Sequence, residues 1–299
     1  MSKINVWLNA ARLRTLPLSI SGIIMGTALA NFYGKGNLSI FILALFTAMG
    51  FQITSNLAND YGDGIKGADS EDRIGPQRML QSGRLSRKEL KGGIWVSIGI
   101  NMVLVLCVIF LAFKEYGIAY PLLFLAMGLL SIWAAVKYTV GTSAYGYMGL
   151  GDVFVFVFFG GLAVLGSMFL YTKFLTPQAI LLACTIGFLS TAVLNLNNLR
   201  DHESDKKAGK KTLIVRMGFR NGKLYHALLL FLGLLCFTCF VLLNSNQWYQ
   251  FVCLITCVPI AIHMWKVHKI EQPASLDPEL KRLALGTFGM AVLFYIGFN

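Results

Sequence analysis

Nine long stretches of the chain carry no acidic or basic side chain other than histidine, and this pattern limits the possible folds more than any other feature. They are residues 15–33, 38–59, 92–113, 117–136, 153–172, 176–198, 224–243, 248–265 and 283–298. A helix of about 20 apolar residues is long enough to cross the hydrocarbon of a membrane. The sequence lacks the alternating pattern of a membrane β-barrel. We therefore predict an all-α membrane protein with about nine transmembrane helices.

The composition excludes the soluble classes of protein. Of the 299 residues, 56% are hydrophobic and 13% are charged, whereas a soluble domain has a charged share of about 25%. So few charges cannot cover the surface of a soluble protein of this length. The high hydrophobic content also excludes a disordered chain, which buries too little apolar surface to fold.

The distribution of charge predicts how the chain is oriented in the membrane. Of the 26 basic residues, 23 fall on one side of the predicted helices, and the others are Lys35, Lys114 and Lys173. Because cytoplasmic loops are enriched in Lys and Arg, we expect the N-terminus and the long loops in the cytoplasm. Topology thereby explains the net charge of +12, and no nucleic-acid partner is expected.

We expect a single domain over residues 1–299. The second predicted helix ends in NLAN at residues 56–59 and the sixth in NLNN at residues 195–198, and a long charged loop follows each. This similarity predicts two loosely related four-helix halves, at about 15–136 and 153–265, followed by a ninth helix.

Two polar clusters close the second and sixth predicted helices on the same side of the membrane. Each combines one amide with two carboxylates: Asn56, Asp60 and Asp63 in the first, and Asn197, Asp201 and Asp205 in the second. Helical spacing places the members of each cluster on one face. Carboxylate and amide oxygens are typical ligands of Mg²⁺. The clusters therefore predict a magnesium site, with Asp69 as an additional candidate ligand.

Basic residues accompany both clusters, as expected around a metal-bound diphosphate. The candidates for binding its phosphates are Lys66, Arg73, Arg78, Arg200, Lys210 and Lys211. Arg and Lys neutralise phosphate charge that a metal ion leaves uncompensated. Taken singly, however, Asp and Asn at helix ends also act as helix caps, and basic residues at a membrane surface also contact anionic lipid headgroups.

Four segments carry a resemblance to a known family. They are residues 56–63 (NLANDYGD), 72–83 (DRIGPQRMLQSG), 138–152 (YTVGTSAYGYMGLGD) and 195–218 (NLNNLRDHESDKKAGKKTLIVRMG). On these segments the chain resembles the UbiA superfamily of intramembrane aromatic prenyltransferases, from about Trp7 to the last predicted helix. Within the superfamily it is most similar to the branch that prenylates 1,4-dihydroxy-2-naphthoate in menaquinone biosynthesis.

The resemblance implies a UbiA-like bundle in the inner membrane of a bacterium, with an active-site cavity on the cytoplasmic side. It implies transfer of a polyprenyl group from polyprenyl diphosphate to 1,4-dihydroxy-2-naphthoate, with Mg²⁺ as cofactor and with loss of CO₂ and diphosphate. The residues that it implies for catalysis are Asp60, Asp63, Asp201, Asp205 and Tyr138.

The chain departs from the superfamily pattern at Gly67, where many members carry a third Asp, and the next acid is Asp69. Tyr145 and Tyr147 lie close to the predicted active site, but tyrosines at this depth are also typical of the aromatic belt at the membrane interface.

Two alternative functions stay open at this stage. The same chemistry could act on another aromatic acceptor, such as 4-hydroxybenzoate or a haem or chlorophyll precursor. A secondary transporter with acidic ion sites is the second alternative. Transporter sites lie near the membrane midplane, whereas the acids of this chain cluster at helix ends, which argues against transport.

Overall fold

The computed structural model describes residues 2–67, 74–75 and 78–299 of the chain. These residues form helices and connecting turns, and no β-strand occurs among them. Within the described ranges, nine helical segments are long and apolar enough to cross a membrane. The predicted fold class, an all-α membrane protein with about nine transmembrane helices, is confirmed.

The first half of the chain is built from five helices and a composite segment. The helices are α1 (Lys3–Ala11), α2 (Leu16–Phe32), α3 (Leu38–Lys66), α4 (Arg87–Phe113) and α5 (Ala119–Lys137). The composite segment consists of α6 (Gly151–Val155), a wide helix of π geometry over Phe156–Gly166, and α7 (Ser167–Thr172). A short 3₁₀ turn, Tyr145–Met148, precedes it.

The second half contributes five further helices. They are α8 (Pro177–Arg200), α9 (His202–Lys207), α10 (Leu213–Asn244), α11 (Cys257–Lys269) and α12 (Asp277–Phe298). A 3₁₀ helix over Trp248–Thr256 runs directly into α11, and a 3₁₀ turn over Pro273–Leu276 runs into α12. Helix α10 is kinked at Gly218, whose φ of 80° and ψ of 164° lie outside the helical region.

Several helices are longer than the charge-free stretches predict. Helix α3 continues to Lys66 rather than ending at 59, and α10 begins at Leu213 rather than 224. Helix α12 begins at Asp277 rather than 283. The sequence criterion stops a helix at its first charged residue, whereas the backbone continues through charged turns, some of whose acids, such as Asp60, Asp63 and Glu279, are buried within the bundle.

Helix α2 lies at the centre of the bundle and positions the other spans. It packs against α3 on one side and α12 on the other, and it also contacts the π-helical segment, α7 and α8. Twelve of its 17 residues are buried. The largest apolar core lies beside it, where Phe237 and Phe240 of α10 meet Phe294 of α12.

Candidate active site

A cavity of about 580 Å³ runs between the spans of the bundle. Its walls come from α2, α3, α4, α5, the π-helical segment, α8 and α12. Most of its length is lined by apolar side chains, and charged side chains gather at one mouth: Arg12, Arg14, Asp63, Arg78, Arg200, Asp201, Asp205, Lys210, Asp277 and Lys281. The cavity therefore offers an apolar channel that ends in a charged mouth.

Helix α3 turns one particular face toward this cavity. The lining residues on α3 near the mouth are Gln52, Ser55, Asn59 and Asp63. Their spacing of three or four residues places them on a single ridge of the helix. Asn59 is held there by Thr139, whose hydroxyl donates to Asn59 Oδ1 at 3.2 Å. Asn59 was missed by the sequence analysis, which placed Asn56 and Asp60 on the site face.

Asn56 and Asp60 lie on the neighbouring face of α3 and are not among the lining residues of the cavity. The Asn56 amide donates to the Ala11 carbonyl at 2.9 Å and to Thr15 Oγ1 at 3.0 Å, which ties α3 to the end of α1. Asp60 is 1% exposed. It accepts hydrogen bonds from the backbone N–H groups of Met79 at 3.0 Å and Leu80 at 3.4 Å. Asp60 therefore fixes the turn that carries Arg78.

Asp63 is the carboxylate of α3 that faces the mouth, and three side chains converge on it. Arg78 Nη2 donates to Asp63 Oδ2 at 3.0 Å, and both side chains are buried. The Tyr147 hydroxyl donates to Asp63 Oδ1 at 2.8 Å. Lys210 Nζ lies 3.4 Å from the same oxygen.

Lys210 joins the two acidic clusters. Its ammonium nitrogen lies 3.4 Å from Asp63 Oδ1 and 3.3 Å from Asp205 Oδ1, so one cation sits between carboxylates that are 142 positions apart in sequence. Burial raises the pKa of the Asp205 carboxyl, and the nearby Lys210 opposes this shift. The fold thus brings the two acidic clusters to one place.

Arg200 organises the second cluster. Its Nε and Nη2 each donate to one oxygen of Asp201 at 2.7 Å, forming a bidentate pair. Nη2 also donates to Asn197 Oδ1 at 2.8 Å, and Nη1 donates to Asp277 Oδ1 at 2.5 Å. The Arg200 side chain is 2% exposed. It is thus engaged by carboxylates, whereas the sequence analysis proposed it as a diphosphate ligand.

Three tyrosines stand near the mouth, and all three line the cavity. Tyr138 packs edge-to-face against Tyr145 at 5.3 Å between ring centroids. Burial raises the pKa of the Tyr138 hydroxyl above its ordinary value. Tyr147 lies beneath two ammonium groups: Lys66 Nζ is 3.9 Å and Lys210 Nζ 5.0 Å from its ring centroid. Tyr147 thus belongs to the mouth rather than to an interfacial belt.

The remaining predicted residues have different placements. Lys211 is exposed and does not line the cavity, but its backbone N–H donates to the Tyr147 carbonyl at 2.9 Å. Lys66 also lies outside the lining and covers Tyr147 from the end of α3. Asp69 and Arg73 fall outside the described residues.

The donor set at the mouth fits a hard divalent cation together with a diphosphate. Three side chains with carboxylate oxygens, Asp63, Asp201 and Asp205, and two with amide oxygens, Asn59 and Asn197, line the same cavity. Among the residues with described positions, no three His, Cys, Asp or Glu side chains are close enough to hold a metal by themselves. Mg²⁺ commonly keeps waters and takes substrate phosphates as ligands, so the protein need not supply a complete cage.

An apolar channel inside a helical membrane bundle, with carboxylates and cations at one mouth, is the arrangement of an intramembrane enzyme acting on an amphiphilic diphosphate. The comparison with protein families agrees with this class. Residues 19–291 match the UbiA prenyltransferase family, and the chain belongs to it.

Relatives in bacteria are similar over nearly the whole chain. A protein of Escherichia coli (strain K12) named 1,4-dihydroxy-2-naphthoate octaprenyltransferase is 41% identical, and the match covers 99% of this chain and 96% of the relative. A protein of the same name from Haemophilus influenzae is 40% identical with the same coverage.

Solved structures share the fold at low sequence identity. A UbiA homolog from Aeropyrum pernix K1 superposes with a TM-score of 0.72 at 12% identity, covering 95% of this chain and 98% of that one. A UbiA homolog from Archaeoglobus fulgidus, bound to DMAPP and Mg²⁺, superposes with a TM-score of 0.63 at 14% identity, covering 96% and 98%.

Proposed function

We propose that this chain transfers a polyprenyl group from polyprenyl diphosphate to 1,4-dihydroxy-2-naphthoate, releasing diphosphate and CO₂ and giving demethylmenaquinol for menaquinone synthesis. Lys210 carries this proposal, because its ammonium lies between Asp63 and Asp205 at the mouth of an apolar channel. A mouth that places a lysine ammonium between carboxylates can bind a diphosphate headgroup together with a metal ion. The apolar channel can hold the isoprenoid tail. The names of the relatives supply the acceptor.

We propose Mg²⁺ as the cofactor, held by Asp63, Asp201 and Asp205 with the amide oxygens of Asn59 and Asn197. When bound, the metal would stabilise the negative charge that develops on the leaving diphosphate. Arg78 and Lys210 bind the phosphate oxygens that remain, with Lys66 and Lys211 at the outer edge. Asn56 and Asp60 support the site by holding α1 and the turn that carries Arg78.

The reaction is heterolytic. The allylic C–O bond breaks, its electron pair leaves with the diphosphate, and an allylic cation forms. The ring carbon that bears the carboxylate attacks this cation, and loss of CO₂ returns an electron pair to the ring. Tyr138 remains a neutral phenol because burial raises its pKa. It therefore acts through its ring face and hydroxyl, which stabilise the cation, rather than as a base.

We propose that the mouth of the cavity opens on the cytoplasmic side of a bacterial inner membrane. This orientation follows from the 23 basic residues on that side of the spans. A reporter fused after Asn299 tests it. With nine spans and a cytoplasmic N-terminus, the C-terminus lies in the periplasm, so an alkaline phosphatase fusion is active and a fluorescent-protein fusion is dark.

The central experiment measures product formation by the purified protein. With octaprenyl diphosphate, 1,4-dihydroxy-2-naphthoate and Mg²⁺, mass spectrometry should detect the prenylated quinol, and EDTA should abolish it. Adding equimolar 4-hydroxybenzoate tests the acceptor. Preferential prenylation of 4-hydroxybenzoate would overturn the assignment of acceptor while leaving the reaction class intact.

Matched variants test the site. Asp63→Asn and Asp205→Asn should each lower turnover by at least about a hundredfold, because they remove carboxylates that would hold the Mg²⁺ that stabilises the leaving diphosphate. Glu203→Gln is the control, since Glu203 lies on α9 beside Asp205 but is 75% exposed and pairs with His202. Near-normal turnover of both Asp variants would contradict the proposed site.

A further inference from the structure

Asp277 enters the active site from the last span, although no polar motif of the sequence marks it. It is the first residue of α12 and lines the mouth of the cavity. Its Oδ1 accepts from Nη1 of Arg200 at 2.5 Å, on the edge of the guanidinium that Asp201 leaves open. Arg200 is therefore held from both sides by carboxylates of two different spans, α8 and α12.

The surrounding fold holds Asp277 in this position. Leu276, the preceding residue, is completely buried in the largest apolar core. Glu279, two residues further on, is 3% exposed. Its Oε2 lies 2.7 Å from His263 Nδ1 of α11, and Oε1 accepts from Arg282. The start of α12 is thus anchored independently of its contact with Arg200.

The arrangement has a chemical consequence for Asp201. A bidentate Arg holds both oxygens of a carboxylate in a fixed plane. The guanidinium can keep this alignment when its second edge is also fixed. Asp277 supplies that second contact, and its charge balances Arg200 so that the local cluster of two Asp and one Arg remains anionic. An anionic cluster continues to attract a cation, whereas a single Arg–Asp pair is neutral.

We propose that Asp277 is a positioning residue of the active site, which aligns Arg200 on Asp201 and keeps the second acidic cluster anionic toward a bound divalent cation. This inference rests on the proposed function. Asp277 acts through Arg200 and has no contact with the reacting carbon in this role. It links the last span to the second acidic cluster, which follows a different helix.

The test measures binding rather than turnover. Isothermal titration calorimetry measures the binding of geranylgeranyl thiodiphosphate to the full-length protein at several Mg²⁺ concentrations. This compound is a slowly reacting substrate analogue. We expect Asp277→Asn to raise the Mg²⁺ concentration for half-maximal binding about tenfold. Asp277→Glu should keep this concentration close to that of the wild type. The melting temperature is measured on the same samples.

Two control variants separate positioning from other effects. Glu279→Gln disturbs the anchor of α12 without touching Arg200, so it should lower the melting temperature and leave the Mg²⁺ requirement unchanged. Glu203→Gln removes a negative charge near the mouth without touching Arg200. If Glu203→Gln raised the Mg²⁺ requirement as much as Asp277→Asn, net charge would explain the effect and the proposal would be wrong.

A double-mutant cycle tests the route through Arg200. In an Arg200→Lys background the two-edged guanidinium contact is lost while the positive charge stays, so Asp277→Asn should raise the Mg²⁺ requirement by less than it does in the wild type. Additive effects would overturn the positioning role. If the wild-type protein fails to bind the thiodiphosphate with Mg²⁺, the proposed function fails. If the wild type binds it and Asp277→Asn behaves identically, the positioning role alone fails.

Discussion

Tyr147 shows how a single side chain can connect three parts of the site. Its hydroxyl binds Asp63, its ring lies under Lys66 and Lys210, and its carbonyl accepts from the Lys211 N–H. The loop that contains Tyr147 thereby bridges the end of α3 and the segment that follows α9. An aromatic ring near two ammonium groups also limits where those cations can move.

The Tyr147→Phe variant separates the hydroxyl from the ring. We expect a rise of about tenfold in KM for the prenyl diphosphate, because a hydrogen bond to a charged carboxylate contributes about 1.5 kcal/mol. The change in kcat should be smaller, since the ring and the two lysines stay in place. Tyr249→Phe, at an exposed position, is the control. A KM equal to that of the wild type would show that the hydroxyl does not order Asp63.

The buried position of Asp205 predicts a dependence on pH. Burial raises the pKa of this carboxyl, so it takes up a proton at a higher pH than an exposed Asp does. A protonated carboxyl no longer attracts a cation. We therefore expect the Mg²⁺ concentration for half-maximal velocity to rise already at a pH above the ordinary Asp pKa of about 3.9 as the pH is lowered. A requirement for Mg²⁺ that stays constant until the pH falls to that ordinary value would contradict the prediction.

The residues of the first cluster show what the sequence could and could not predict. The segment NLANDYGD contains the spacing Asn-x-x-x-Asp twice, as Asn56 with Asp60 and as Asn59 with Asp63. Periodicity alone cannot decide which pair faces the cavity. Tertiary contacts determine which pair faces the cavity. Asn56 is hydrogen-bonded to the end of α1, and Asp60 is hydrogen-bonded to the turn at Met79. Asp277 was missed for a similar reason, since it reaches the site from a distant helix.

At the level of helices, Gly67 determines where the first acidic helix ends. Gly67 follows Lys66 with a φ of 68°, and its N–H donates to the Asp63 carbonyl, which closes α3. The left-handed conformation suits glycine, which has no Cβ to clash with the following carbonyl.

The Gly67→Ala variant should lower the free energy of unfolding by about 1 kcal/mol, the cost of a left-handed conformation for a residue with a Cβ. Nothing lies within 4 Å of an added Cβ at this position, so the effect is confined to the backbone. Gly67→Asn should cost less, because Asn tolerates this region. The midpoint of thermal unfolding in detergent measures both.

Gly92 is the matched control for Gly67. It also has open space around an added Cβ, but it lies within α4, where alanine is favoured over glycine. Gly92→Ala should therefore raise the stability, by about 0.5 kcal/mol. If both alanine variants changed the melting temperature in the same direction, the conformational argument for Gly67 would be wrong.

Helix existence was predictable, whereas helix ends were not. The hydrophobic stretches identify all nine spans, because lipid contact demands apolar side chains along each helix. The helix starts at Leu213 and Asp277 were placed too late, because the charged residues in their first turns end the apolar stretches that hydropathy detects. One such turn supplies Asp277 to the mouth of the cavity, so the geometry of the mouth required the structure.

The spans of the bundle together determine the length of the channel. On α3 the cavity lining extends from Ala44 to Asp63, which corresponds to about 28 Å along the helix axis. An aromatic cluster lies toward the end far from Asp63. Phe124 lines the cavity there, and Phe113 and Phe169 pack against it with ring centroids at 4.9 and 5.9 Å. We expect an isoprenoid tail that fills the channel to contact Phe124.

The aromatic cluster at this end of the channel predicts which residue discriminates between prenyl diphosphates with tails of different length. Phe124→Ala deepens the channel, so the ratio of octaprenyl to geranylgeranyl transfer in a competition assay should rise by about tenfold, as expected when apolar contacts are added or removed. Phe110→Ala is the control, because Phe110 on α4 is 70% exposed and does not line the cavity. Phe124→Leu, which keeps more of the volume, should fall between the wild type and Phe124→Ala. If both Phe124 variants kept the wild-type ratio, the tail would leave the channel before it reaches the aromatic cluster, and its length would be selected elsewhere.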